Sequence, residues 1–303
     1  MLKKSLLLAT AALFLLSVTL FDPATISRWI ESSIGWQPLR EQSTSAENPS
    51  LHAAVSRINA GDLQRHLRVL TADASRVTGY PGAQNAARYL EQEFRSLGLQ
   101  VSSEAFPVSV PVDGGGRLRI TGTDTILPIH ALWPNHVRTS SLPERGLDGH
   151  LIDLGRGRLT ELDGKRLEGS IALMGFGSGN AFVEARALGA AAILFYDDGR
   201  VTRSEAAAKF LQVPVDIPRF WLEATDAKML RKHAQSGETQ VHLNARMDWQ
   251  QVQAHNLIAI LPGLAEDMPL GQRQKTQQWK DQIIVVQAHY DAISVVPALA
   301  PRC

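Results

Sequence analysis

The sequence predicts an α/β fold interrupted by a β-rich segment, and three stretches carry that prediction. Ala83, Ala87, Leu90, Phe94 and Leu97 recur at the spacing of one buried helical stripe. Between 171 and 196, "IALM", a small-residue run and "AAILFY" read as strand, helix and strand. "IIVVQA", 283–288, is a continuous apolar run of the kind found in strands covered on both faces.

The remaining elements follow in order. Residues 61–72 read as a helix with Leu63, Leu67 and Leu70 on one face. "SRVTGYPGAQ" is a Gly/Pro turn before the helix over 83–97, which Gly98 stops. A strand follows over 99–110. From about 111, short strands and glycine turns dominate. Ala181–Leu188 is the small-residue helix, and "YDDG" at 196–199 is a polar turn in preference to a calcium site. Thr225 is the candidate N-cap of a later helix whose basic end, "RKHAQSGE", suits the negative pole of its dipole. Residues 239–247 alternate like a half-buried strand, and "NLIAILPG", 256–263, is a separate strand with a Pro-Gly stop.

The 303 residues are 44% hydrophobic and 20% charged, an ordinary globular composition sufficient for one large domain or two moderate ones. A formal net charge of +1 supplies no field for nucleic acid, so that class of partner is disfavoured. The single cysteine, Cys303, excludes an intrachain disulfide. Lys3 and Lys4 precede an uncharged run at residues 5–21, the pattern of an export signal or a membrane anchor. Residues 1–22 are that segment, and polar residues 23–51 are a linker. The protein is therefore expected to be exported, either anchored in a membrane or released to the periplasm or exterior.

The candidate chemistry lies at "HYD". His289 follows the carboxyl end of the apolar run, where open α/β sheets place ligands. Asp291 is two residues on, so both side chains share a face of an extended chain. The carboxylate could orient the imidazole and leave its other nitrogen free for zinc. With 9 histidines and 30 acidic residues, such a pair also arises by chance as a surface loop. His130, His136, His150, His233, His242 and His255 show no ligand spacing and read as surface or loop residues. "GFGSGN", 175–180, is glycine-rich but lacks the order of a phosphate-binding loop.

The order of "GYPGAQNAARYLEQEFRSLGL", a β-rich insert, "NLIAILPG" and "IIVVQAHYDA" resembles the M28 zinc metallopeptidases of aminopeptidase type over about residues 52–303. The insert resembles a protease-associated (PA) domain in "EGSIALMGFGSGNAFVEARALGAAAILFYDD" and "VPVDIPRFWLEATDAKML". The resemblance implies an incomplete mixed-sheet peptidase domain, 52–110 and 250–303, around a β-rich α+β PA-like insert at 111–249. It implies that His289 ligates zinc, that Asp291 orients it from behind, and that the substrates are peptides cleaved at their N-termini. The remaining ligands of such a family would lie beyond this sequence, so the resemblance places no catalytic residue within it and implies an inactive, truncated chain. The competing reading is an envelope binding protein built on the PA-like module, or the extracytoplasmic front of a larger membrane protein.

Overall fold

The computed structural model describes residues 53, 55–234, 238–262 and 283–299. The export segment (1–22), the linker (23–51), the polar loop after "NLIAILPG" (264–282) and the closing "PRC" lie outside the described residues. The chain divides into two compact units, 1–64 and 65–303. Within the first, the described residues form the start of helix α1, Ala60–Leu70. Asn59 Oδ1 accepts the Asp62 N–H at 2.9 Å there, satisfying one orphan donor of the first turn.

The second unit is α/β with seven strands in one mixed sheet, as the sequence predicts. The strands are β1 (Gln100–Ile120), β2 (Ile126–Ala131), β3 (Leu147–Asp153), β4 (Ile171–Gly175), β5 (Ala192–Tyr196), β6 (Arg219–Leu222) and β7 (Gln240–Ile260). They close into a barrel in the order β1-β2-β6-β5-β4-β3-β7. The run β3-β4-β5-β6 is parallel and the other pairs are antiparallel.

The crossover helices α3 (Leu159–Leu162), α4 (Ala181–Ala187) and α5 (Arg203–Ala207) join the parallel strands. Alternate strand residues serve opposite faces. Ile171, Leu173, Ala192 and Leu194 enter the barrel interior with Leu118, Ile129 and Leu243. Ala172, Met174, Ile193 and Phe195 pack outside it with Phe182 and Ala185 of α4. That is why "IALM" and "AILFY" read as unbroken apolar runs, and every residue of β4 and β5 is buried. Helix α6, Ala224–Ala234, adds Ala227 and Leu230 to the interior cluster. It starts at Ala224, so Thr225 sits inside its first turn rather than at the N-cap.

β1 and β7 are each 21 residues long. They pair from Gln100↔Ile260 to Ile120↔Val241, with a bulge between Asp113 and Gly116. Beyond the bulge they close the barrel; before it they form a two-stranded ribbon. The two strands anticipated at 239–247 and 256–263 are therefore one. The junctions anticipated at 110/111 and 249/250 face each other inside this ladder, Val110 opposite Gln250 and Pro111 opposite Trp249. No loop marks them.

Helix α2, Pro81–Ser96, begins with proline in its first turn, where the missing N–H costs nothing. Ala83 of its apolar stripe is buried, but Leu97 is 72% exposed. On α1, Leu63 and Leu67 are also exposed. The helical periodicity is real, but cover is partial: Ala87, Leu90 and Phe94 of the α2 stripe are half-buried, while the α1 stripe is mostly exposed.

Asp113 stitches the bulge together. Its side chain is 1% exposed. It accepts the N–H groups of Gly115 at 2.9 Å and Ala131 at 3.0 Å, and its own N–H donates to the Tyr80 hydroxyl at 2.7 Å. Burial pushes the Tyr80 phenol up to about 12. Burial also raises the Asp113 carboxyl above its ordinary value, opposed by those two N–H donors and by His130. A raised carboxyl stabilises the fold fully below the ordinary value of about 4 and loses that contribution as pH climbs through the raised value. Asp113→Asn does not titrate. Its melting temperature relative to the native chain should become progressively more favourable as pH rises from about 3 to about 7. A difference independent of pH would show that the carboxyl is not perturbed.

Candidate functional site

The turn before α2 and the segment carrying "HYD" lie side by side. Val77 and Ala292 form a parallel bridge, and the Ala292 N–H donates to the Arg76 carbonyl at 2.9 Å. The Arg76 guanidinium donates to the Tyr290 carbonyl at 3.1 Å. The Thr78 hydroxyl donates to Asp291 Oδ2 at 3.0 Å. The Tyr290 hydroxyl reaches back to the His255 carbonyl on β7 at 2.7 Å.

Glycine lets the turn pack tightly on itself and on the ribbon. At Gly82 a Cβ would stand 2.0 Å from the Ser75 carbonyl oxygen. At Gly79, with φ +94°, it would stand 2.7 Å from Val110. The Gly/Pro turn is thus a packed junction and not a free loop.

Downstream, the segment is anchored in the core outside the barrel. Val295 and Val296 are 3% and 0% exposed among Leu132, Leu154 and Trp221. The Trp133 N–H donates to the Val295 carbonyl at 2.7 Å, and the Ser75 hydroxyl donates to the Pro297 carbonyl.

Upstream, the expectation is corrected. Ile283, Ile284, Val285 and Val286 are 86%, 91%, 75% and 92% exposed, and residues 283–290 form no strand. An apolar run becomes a buried strand only when neighbouring strands satisfy its backbone and cover its faces. No described residue does so here.

His289 is correspondingly open, with a side chain 95% exposed. Its Nδ1 lies 3.8 Å from Asp291 Oδ1, beyond hydrogen-bond length. The two residues share a locality, but the carboxylate does not grip the ring; its other oxygen is held by Thr78. Among the described residues no three His, Cys, Asp or Glu side chains converge to hold a metal ion. Zinc in a catalytic site takes about three protein ligands. The described side chains therefore do not fit zinc by themselves, and no step through a metal is derived.

The other histidines stand apart in local pairings: His150 with Gln240, His242 with Asp148, and His255 with Ser103. Sequence reasoning missed Arg76 and Thr78. Thr78 is 213 residues from the carboxylate it holds, and no spacing signals such a pairing.

The glycine-rich "GFGSGN" stretch is occupied by the protein's own anions. The Gly177 N–H donates to Asp198 Oδ1 at 3.0 Å, and the Gly179 N–H donates to Glu205 Oε2 at 2.9 Å. Glu205 also pairs with the Lys209 ammonium at 2.8 Å. That ammonium is enclosed by the rings of Phe176, Phe182 and Phe195, and burial lowers its pKa. Asp198 further receives Arg156, and Asp197 accepts the Gly199 N–H, so the "YDDG" carboxylates are engaged within the fold.

No protein-family profile matches the sequence, and no curated protein matches it. Solved structures do. An aminopeptidase from Aneurinibacillus sp. strain AM-1 aligns at 23% identity and TM-score 0.38, covering 69% of this chain and 50% of that one. A zinc aminopeptidase from Bacillus subtilis aligns at 19% identity and TM-score 0.47, covering 66% and 46%. A peptidase M28 precursor from Shewanella amazonensis SB2B aligns at 18% identity and TM-score 0.43, covering 64% and 49%. The chain spans about half the length of each of these proteins.

The segment's anchors and its histidine should separate in a stability assay. Val296→Ala removes two buried carbons and should cost about 2 kcal/mol in denaturant unfolding. His289→Ala should change stability by less than about 0.5 kcal/mol. Equal effects from the two would mean that the ring is packed.

Proposed function

We propose that this chain supplies the first metal-ligand segment of an exported M28-type zinc aminopeptidase, acting on peptides at their N-termini, and that it is inactive by itself. In this reading His289 is the zinc ligand and Asp291 the carboxylate that orients it once the ring turns toward it. The N-terminal segment, 1–22, directs export and associates the protein with a membrane. The PA-like module at 111–249 covers the peptide cleft, and residues 52–110 with 250–303 belong to the peptidase portion.

One observation supports the reading above others. The stretch from Tyr290 to Leu299 is docked, through Arg76, Thr78 and the buried Val295 and Val296, so His289 is presented from a fixed point. The exposed "IIVV" immediately before it has the composition of an interior strand. The rest of a sheet would cover that run, and the rest of a ligand set would surround the imidazole. With one imidazole and one carboxylate, the segment presents too few donors to retain zinc tightly.

Zinc titration of the full chain, followed through the histidine ring resonances, tests the proposal. Weak, saturable perturbation centred on His289 and lost in His289→Ala is the expected result, with no release of an aminoacyl chromogen. A His289 resonance indifferent to zinc would remove the metal assignment. Tight stoichiometric zinc with hydrolysis would remove the inactivity instead.

A further inference from the structure

The outer face of the barrel carries a groove of about 680 Å³ over β1, β7 and β3, walled on one side by the hairpin turn Thr121–Asp124. Alternation sets its chemistry. Leu118 and Ile120 point inward at 0% and 3% exposure, so Arg117 and Arg119 point outward on the same face. On β7, Val241 and Leu243 point inward, so His242 and Asn244 point outward. The register sets Arg117 opposite Asn244 and Arg119 opposite His242.

Three of the groove's other polar side chains, His242, Asn244 and Asp148, are committed to one another. His242 Nδ1 lies 2.8 Å from Asp148 Oδ1, and Asn244 Nδ2 lies 2.9 Å from His242 Nε2. With the amide donating to Nε2, the Nδ1–H donates to Asp148 Oδ1. Neither Arg117 nor Arg119 has a hydrogen-bond or ion-pair partner among the described residues. Two guanidinium groups thus stand side by side with their N–H donors unpaired, and an incoming carboxylate can take two-pronged hydrogen bonds from each.

We propose that this groove docks an extended acidic peptide segment whose carboxylates fall on alternate residues. Side chains two residues apart on a strand repeat every ~6.6–6.8 Å. Arg117 and Arg119 have that repeat, and so do alternate Glu or Asp residues of an extended peptide lying along β1. β1 is already hydrogen-bonded on both edges here, Arg117 standing between Pro128 and Asn244. Recognition is therefore through side chains across the face and not by strand addition. Ile126, 49% exposed at the rim, offers an apolar contact to an intervening residue. Asp124 and Asp148 balance the two arginines formally. The groove consequently lacks the net positive field that gathers phosphates, and it selects spaced carboxylates by position. This inference is independent of the zinc assignment.

The test uses the full chain and fluorescent peptides of equal charge, one alternating Glu and Ser, the other with its glutamates contiguous. The alternating peptide should bind at least ten-fold more tightly, and Arg117→Gln/Arg119→Gln should lose at least ten-fold. A charge-matched control, Arg166→Gln/Lys228→Gln, should lose less than two-fold. Arg119→Lys keeps the charge and removes the fork; it should weaken binding several-fold at an unchanged melting temperature, which answers for any misfolding of the double variant. Equal binding of both peptides, equal loss in the control pair, or displacement of the alternating peptide by inorganic phosphate at matching concentration would each overturn the proposal.

Discussion

Pairing of β1 with β7 is the constraint on which the rest of the second unit depends. One ladder does two jobs, because a bulge between Asp113 and Gly116 divides it. On one side, Gly116–Ile120 with Val241–Ala245 shuts the barrel and leaves neither strand an open edge there, since β2 and β3 occupy the outer sides. On the other side, Gln100–Asp113 with Met247–Ile260 continues as a ribbon with polar residues on both faces. The turn at Tyr80 joins the ladder at its bulge through Asp113, and Tyr290 joins it on the ribbon through His255. The segment bearing His289 is thus positioned by the same two strands that close the barrel.

The barrel is the self-sufficient part of the unit. Its strands are covered on the inside by one another and on the outside by α4 and by Val295 and Val296. The flanks are different in kind. Leu97, Trp249, Ile260 and the run Ile283–Val286 expose large apolar area. Such surface is ordinarily covered in a folded protein or meets a partner. This asymmetry, more than any single contact, separates the barrel from the elements that flank it.

How much of this was legible in the sequence follows from where burial is decided. β4 and β5 were readable because both faces are buried and apolar residues fill every position. α2 was readable from its stripe, even though the stripe is only partly covered. The unity of β7 was not readable, because no residue of "DWQQVQAH" is buried and the stretch carries no strong apolar alternation. Thr225 misled because a Ser or Thr near a helix start is a local signal, while the tertiary fold begins α6 at Ala224. The proximity of His289 and Asp291 follows from their spacing, but the grip of Thr78 on Asp291 is a long-range contact that composition cannot encode.

Amide hydrogen exchange on the full chain tests the central claim most directly, namely that the closed barrel is the stable body and the approach to His289 is unpaired. Leu118, Ile120, Val241 and Leu243 should exchange only through global unfolding, while Ile283–Val286 exchange as fast as unprotected peptide. Protection of 283–286 equal to that of β4 and β5 would contradict the account, because it would place that run inside a sheet.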